Sequence, residues 1–245
     1  MLFKVFNEMF EQFPELNIGV ITAKGIDNKG SDKKIFKLFE EVENFIKMDF
    51  VPEKMVSVDY IQKHIAKHKM ISAWRAAYED LGYVKKYHTN VEAMMIKILT
   101  GEKVHGRNKL VDIINYVSLK NMVPIGSDDL DKVKGDIFLG LATGEETFID
   151  PETDEYDNPD KNEVIYSDAE GALARRWNWK QAKRTMITEK TKNIILYVDG
   201  LPPITKDKLE AVLKELADLI KMFCGGRINS YVLSKDKNTI EINSE

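Results

Sequence analysis

Asn108, Asp112 and Asn115 fall at i, i+4 and i+7 of NKLVDIINYV, a stretch that reads as a helix. They form a polar stripe beside the apolar face made by Leu110, Ile113, Ile114 and Val117. A carboxylate between two carboxamides can line a pocket and hold a polar ligand. The plainer reading is that Asn108 caps the helix and the other two are solvated. A second cluster is Arg175-Arg176-Trp177-Asn178-Trp179. Arginine forks suit phosphate or carboxylate, and indole faces suit stacking on a base, a sugar or a side chain. On a strand, Trp177 and Trp179 would point one way and Arg176 and Asn178 the other. The alternative is that the tryptophans cap the core and the arginines pair with an acidic loop. Lys180, Lys183, Arg184, Lys190 and Lys192 follow, suited to phosphates or to a solvated face.

Other clusters carry less. His64 and His68 have zinc-compatible spacing, but Ile65 stands where a zincin motif needs glutamate and no third ligand is evident. Gly101 to Gly106 lacks the Lys-Ser/Thr ending of a phosphate loop. We therefore expect no metal and no cofactor. Cys224, the single cysteine, excludes an internal disulfide and a cysteine metal cluster.

The elements that must position these groups are legible in outline. Asn17 to Gly25 is β-branched and reads as a strand, and Ser31 can cap a helix over Asp32 to Lys47. A connecting segment holds Pro52, and helical spacing returns over Val58 to His68 and Ile71 to Leu81. Thr89 or Asn90 caps a further helix to Leu99. Pro124 and Gly126 stop the helix that carries the stripe, and an acidic turn follows. Ile137 to Ala142 and Thr147 to Ile149 look like a hairpin, with later strands at Val164 to Ser167, Asn193 to Val198 and Ile228 to Ser234. Lys206 to Cys224 is a strongly amphipathic helix. Long helices with antiparallel strands argue an α+β fold.

The 245 residues are 43% hydrophobic and 31% charged with a net charge of -4, so no overall basic field advertises nucleic acid. Charge is instead segregated. Glu145 to Asp160 holds eight acids and no base, whereas Arg175 to Lys192 holds seven bases and one acid. No run of 18 apolar residues suggests a membrane span, and the N-terminus does not read as a signal peptide. A reducing, cytoplasmic setting is the expectation.

The order N-x-L-V-D-I-x-N-Y-V, P-I-G-x-x-D-L, Gly135-Asp136-Ile137, Gly144-Glu145, Val164-Ile165-Tyr166-Ser167-Asp168 and Ala172-Leu173-Ala174 resembles the editing (tRNA-binding) domain of the phenylalanyl-tRNA synthetase beta subunit. The resemblance covers roughly residues 70 to 225, without the synthetase's other modules. It implies mixed and antiparallel sheets flanked by helices. Residues 71–245 would form the editing-like core, and residues 1–70 an N-terminal annex packed on the same domain. Two departures matter. Gly126 stands where the family has histidine and Asp128 where phenylalanine is expected, while Arg175 to Asn178 replace a glycine-rich turn at the editing pocket.

The resemblance implies a free-standing deacylase that clears a mischarged aminoacyl-tRNA, its partner being tRNA; some free-standing relatives act on arginine-like residues. Asn108, Asp112, Arg176 and Asn178 are the expected catalytic group, with Asn115, Gly126, Asp128, Arg175, Trp177 and Trp179 around the substrate. Lys180, Lys183 and Arg184 would meet the tRNA. Two alternatives are a non-catalytic tRNA-binding module and a binder or enzyme for free amino acids or arginine analogues. The pattern leaves the oligomeric state open.

Overall fold

The two longest strands, Asn17–Lys24 and Asn193–Gly200, pair antiparallel along their whole lengths and form the middle of a sheet. A computed structural model describes residues 1–50, 57–83, 86–106 and 108–242, so Pro52 lies outside the described residues. The first half runs β1 (Leu2–Val5), α1 (Asn7–Gln12), β2 (Asn17–Lys24), α2 (Lys33–Phe50), α3 (Val58–Ile65), α4 (Lys69–Asp80), α5 (Asn90–Leu99) and α6 (Lys109–Asn121). Next come β3 (Ile125–Asp129), β4 (Ile137–Leu141), β5 (Val164–Ser167), β6 (Ala172–Arg175) and β7 (Lys180–Gln181). The chain closes with β8 (Asn193–Gly200), α7 (Lys206–Cys224), β9 (Arg227–Leu233) and β10 (Thr239–Glu241).

The fold is α+β. One sheet has the order β3-β8-β2-β9 and is antiparallel throughout. The other, β10-β1-β4-β5-β6-β7, is mixed, because β1 and β4 run parallel. Strand alternation divides the core in two. Ile18, Val20, Ile195 and Tyr197 face the second sheet, packing with Phe3, Ile137, Leu139 and Tyr166. Ile21, Ala23, Ile194 and Leu196 face the helices, packing with Phe39, Met95, Val117 and Leu216. Burial on both faces explains why β2 and β8 read as continuous apolar runs.

Three local expectations are corrected. The acidic turn after Pro124 is strand β3, because Asp128 and Asp129 find donors inside the protein: Thr191 Oγ1 donates to Asp129 at 2.7 Å, and Asp128 is served by Thr185 and Tyr197. The partner of β4 is β5 and not Thr147 to Ile149; Ile149 bridges to Tyr156 instead. Arg176 to Trp179 form a turn between β6 and β7, not a strand. The N-terminal 24 residues supply an internal strand to each sheet.

Candidate functional site

A cleft of about 300 Å³ opens where β3 and the β6–β7 turn face α5, the loop before α6, and α6 itself. Its deep end is polar and aromatic, lined by Asp128, Tyr166, Trp177, Asn178 and Tyr197. Gly126 makes part of this lining possible. It sits opposite Tyr197 across the β3–β8 ladder, and a Cβ there would meet the Tyr197 ring at 2.9 Å.

Asp128 is 1% exposed and accepts three hydrogen bonds. Thr185 Oγ1 donates to Oδ1 at 2.5 Å, Gln181 Nε2 donates to Oδ1 at 3.0 Å, and Tyr197 Oη donates to Oδ2 at 2.7 Å. Burial pushes its pKa up to about 7, against the pull of the two hydroxyls and of Arg184. Asp199 is fully buried and has a hydrogen-bond set of its own. It accepts from Tyr166 Oη at 2.5 Å and from Asn178 Nδ2 at 3.0 Å, and burial raises its pKa to about 6. The Tyr166 and Tyr197 rings, whose hydroxyls serve the two acids, stack with centroids 4.4 Å apart. Burial raises both phenols well above their ordinary value, so they stay protonated donors.

The turn that delivers Asn178 is unusual. Arg176 and Trp177 have φ of 43° and 65°, the left-handed region that costs a non-glycine residue about 1–3 kcal/mol. Several bonds hold it. Trp177 N–H donates to Val164 O at 2.6 Å, Arg176 N–H to Glu163 Oε1 at 2.9 Å, and Asn90 N–H to Asn178 O at 3.0 Å. The Trp177 ring is wholly buried against Trp74 and Phe13. Tyr78 Oη lies 2.9 Å from both Arg176 O and Asn178 Oδ1 and shares its proton between them. With Tyr78 on the oxygen and Asp199 on the nitrogen, the Asn178 amide has one orientation. Nδ2 carries a second hydrogen beyond the one given to Asp199, and Asn178 lines the cleft.

A sequence model of the B3/4 domain matches residues 73–225. The chain belongs to the B3/4 domain family. Over 93 residues this B3/4 domain is 33% identical to the phenylalanine–tRNA ligase beta subunit of Psychrobacter arcticus, a match covering 38% of this chain and 11% of that one. An N-terminal fragment of the phenylalanyl-tRNA synthetase beta subunit from Pyrococcus horikoshii superposes with a TM-score of 0.44 at 14% identity, covering 92% of this chain and 49% of the fragment. Every residue lining the cleft falls inside the matched segment of the B3/4 domain.

Of the expected site residues, Asn115, Gly126, Asp128, Trp177, Asn178, Trp179 and Lys180 line the cleft. Asn108 and Asp112 do not. Asn108 caps α6, its side chain accepting from Val111 N–H at 3.0 Å. Asp112 accepts from Gly106 N–H at 2.8 Å, and Asn115 Nδ2 donates to Val104 O at 3.0 Å. The polar stripe thus ties the preceding loop to α6.

Arg175 and Arg176 turn away from the cleft towards the acidic segment. Arg175 is 1% exposed and reaches both Glu163 oxygens at 2.9 and 2.7 Å and Asp157 at 2.5 Å. The Arg176 guanidinium lies 3.9 Å from the Tyr87 ring centre and 3.5 Å from Asp160. Lys180, Lys183 and Arg184 each meet an acid, at 2.6 Å from Asp150, 2.7 Å from Asp154 and 2.7 Å from Asp168. His64 stacks on Tyr60, and His68 caps α4 by accepting from Met70 N–H at 3.4 Å. Sequence reading missed Asn90, Lys97, Lys103, His105, Gln181 and Tyr197 as cleft residues. Tyr197 was hidden in an apolar strand, and no spacing marked Lys97 or Lys103. Among the described residues no helix is long and apolar enough to cross a membrane.

Proposed function

We propose that this B3/4 domain is an aminoacyl-tRNA deacylase that hydrolyses the ester of a mischarged tRNA. The observation that carries the reading is the deep end of the cleft. There a carboxyl with a pKa of about 7 and a carboxamide of fixed orientation line one hollow. A base is most useful when its pKa sits near the working pH. Asp128 takes a proton from water as the water oxygen attacks the ester carbonyl carbon. Asn178 Nδ2 donates its second hydrogen to the oxyanion that develops. Collapse breaks the bond to the ribose oxygen, which takes the proton back from Asp128. The products are a free amino acid and an uncharged tRNA 3′ end. An aminoacyl ester is already activated, so positioning carries much of the work, on the order of 7–11 kcal/mol in ideal cases. The engagement of Lys180, Lys183 and Arg184 by acids weighs against a non-catalytic module held to tRNA by that basic block.

The test is deacylation over a panel of mischarged tRNAs. At least one is cleared by the wild type, and Asp128→Asn slows that turnover by about a hundredfold or more. No cleared tRNA, or full activity in the variant, overturns the reading.

A further inference from the structure

The outer end of the cleft has chemistry of its own. Lys97 on α5 and Lys103 in the following loop are exposed at its rim, and neither ammonium has an ion-pair partner among the described residues. This sets them apart from Lys180, Lys183 and Arg184, which are each held by an acid. Two inward polar atoms beside them are also unused. Asn90 Oδ1 and His105 Nδ1 are buried and meet no partner among the described residues, while Asn90 Nδ2 is held by Ile125 O at 2.9 Å. His105 is fixed by Phe36 and Phe39, with Glu43 3.9 Å from its Nε2.

Unpaired cations at the rim ask for phosphate, and buried unpaired polar atoms beneath them ask for a ligand's hydroxyls. We infer that the α5 end of the cleft is a ribose–phosphate subsite for the 3′ end of an RNA: Lys97 and Lys103 take backbone phosphates, and Asn90 Oδ1 and His105 Nδ1 take hydroxyls of the terminal ribose. This rests on the reading of the deep end as the ester site, and it sets the direction of the bound strand. The terminal ribose lies between the two ends and the phosphates lie outward.

The test uses the full chain and an uncharged RNA hairpin ending in single-stranded 3′-CCA, so it is independent of turnover. The wild type binds, and the double variant Lys97→Ala, Lys103→Ala binds about tenfold or more weakly, with a log–log salt slope shallower by about 1.4 for two lost phosphate contacts. Lys183→Ala changes neither quantity. Removing the terminal 2′-hydroxyl weakens wild-type binding several-fold, and Asn90→Ala no longer senses that removal. No binding by the wild type, unchanged affinity and slope in the double lysine variant, or adenosine monophosphate competing as well as the hairpin would each overturn the inference. Intact binding without deacylation would sink the hydrolytic reading and leave this subsite standing. Deacylation with an indifferent lysine variant would do the reverse.

Discussion

Asp128 and Asp199 are buried among hydroxyl and amide donors, with no ion-pair partner for either among the described residues. Their raised pKa values therefore bear on stability as well as chemistry. The folded chain keeps a proton on Asp128 up to about pH 7, whereas the unfolded chain releases it near 3.8. In that window the folded state binds more protons, so stability is highest below the lower value and falls as pH rises through the upper one. Urea denaturation at about pH 5 and about pH 7.5 checks this: the wild type loses more stability between the two than Asp128→Asn does. Turnover runs the other way, since the base must be ionised. Deacylation should rise with pH and level off above about 7. Arg175 behaves as a structural ion: Arg175→Leu leaves Glu163 buried without its fork and should cost about 3–5 kcal/mol, read by the same denaturation. Residue types alone had offered both readings of the arginine pair. What chose between them was Glu163, an acid from outside the dense acidic run, whose position depends on β5 lying beside β6.

Helix α6 and strand β3 position the site in different ways. The stripe Asn108, Asp112 and Asn115 was legible as a periodic pattern, but its use was not. Periodicity shows which side chains share a face, not what packs over that face. The first two side chains cap the helix and hold its leading loop, and Asn115 also borders the cleft. Asn108→Ala should lower stability by about 1 kcal/mol, with turnover within about twofold of wild type. On β3 the absence of a side chain matters. Gly126→Ala puts a methyl against the Tyr197 ring and displaces the hydroxyl that holds Asp128. Overpacking of this kind costs about 1–3 kcal/mol, and turnover should drop by about tenfold or more, measured with the responsive mischarged tRNA. The turn from Arg176 to Trp179 escaped pattern reading because arginine and tryptophan carry no turn signal. Its left-handed backbone is imposed by Val164, Glu163 and a buried indole.

Across the molecule, the cleft depends on strands remote in sequence. Tyr197 comes from β8, which is sandwiched between β3 and β2, and Tyr166 comes from the sheet that β1 enters as an internal strand. Deleting residues 1–24 removes an internal strand from both sheets. The truncated chain should lack a cooperative thermal transition, even though it keeps the whole of the matched 73–225 segment. The acidic segment and the basic block also make sense only together. Two opposite charge runs that each look like an interface meet at Asp150, Asp154 and Asp157 and largely cancel. Family, the major helices and the α+β class follow from local order and periodicity, because motif spacing and apolar faces are properties of short stretches. The division of polar groups between site and scaffold does not. A charge is free or neutralised according to what the folded chain sets against it, and that partner lies on another strand.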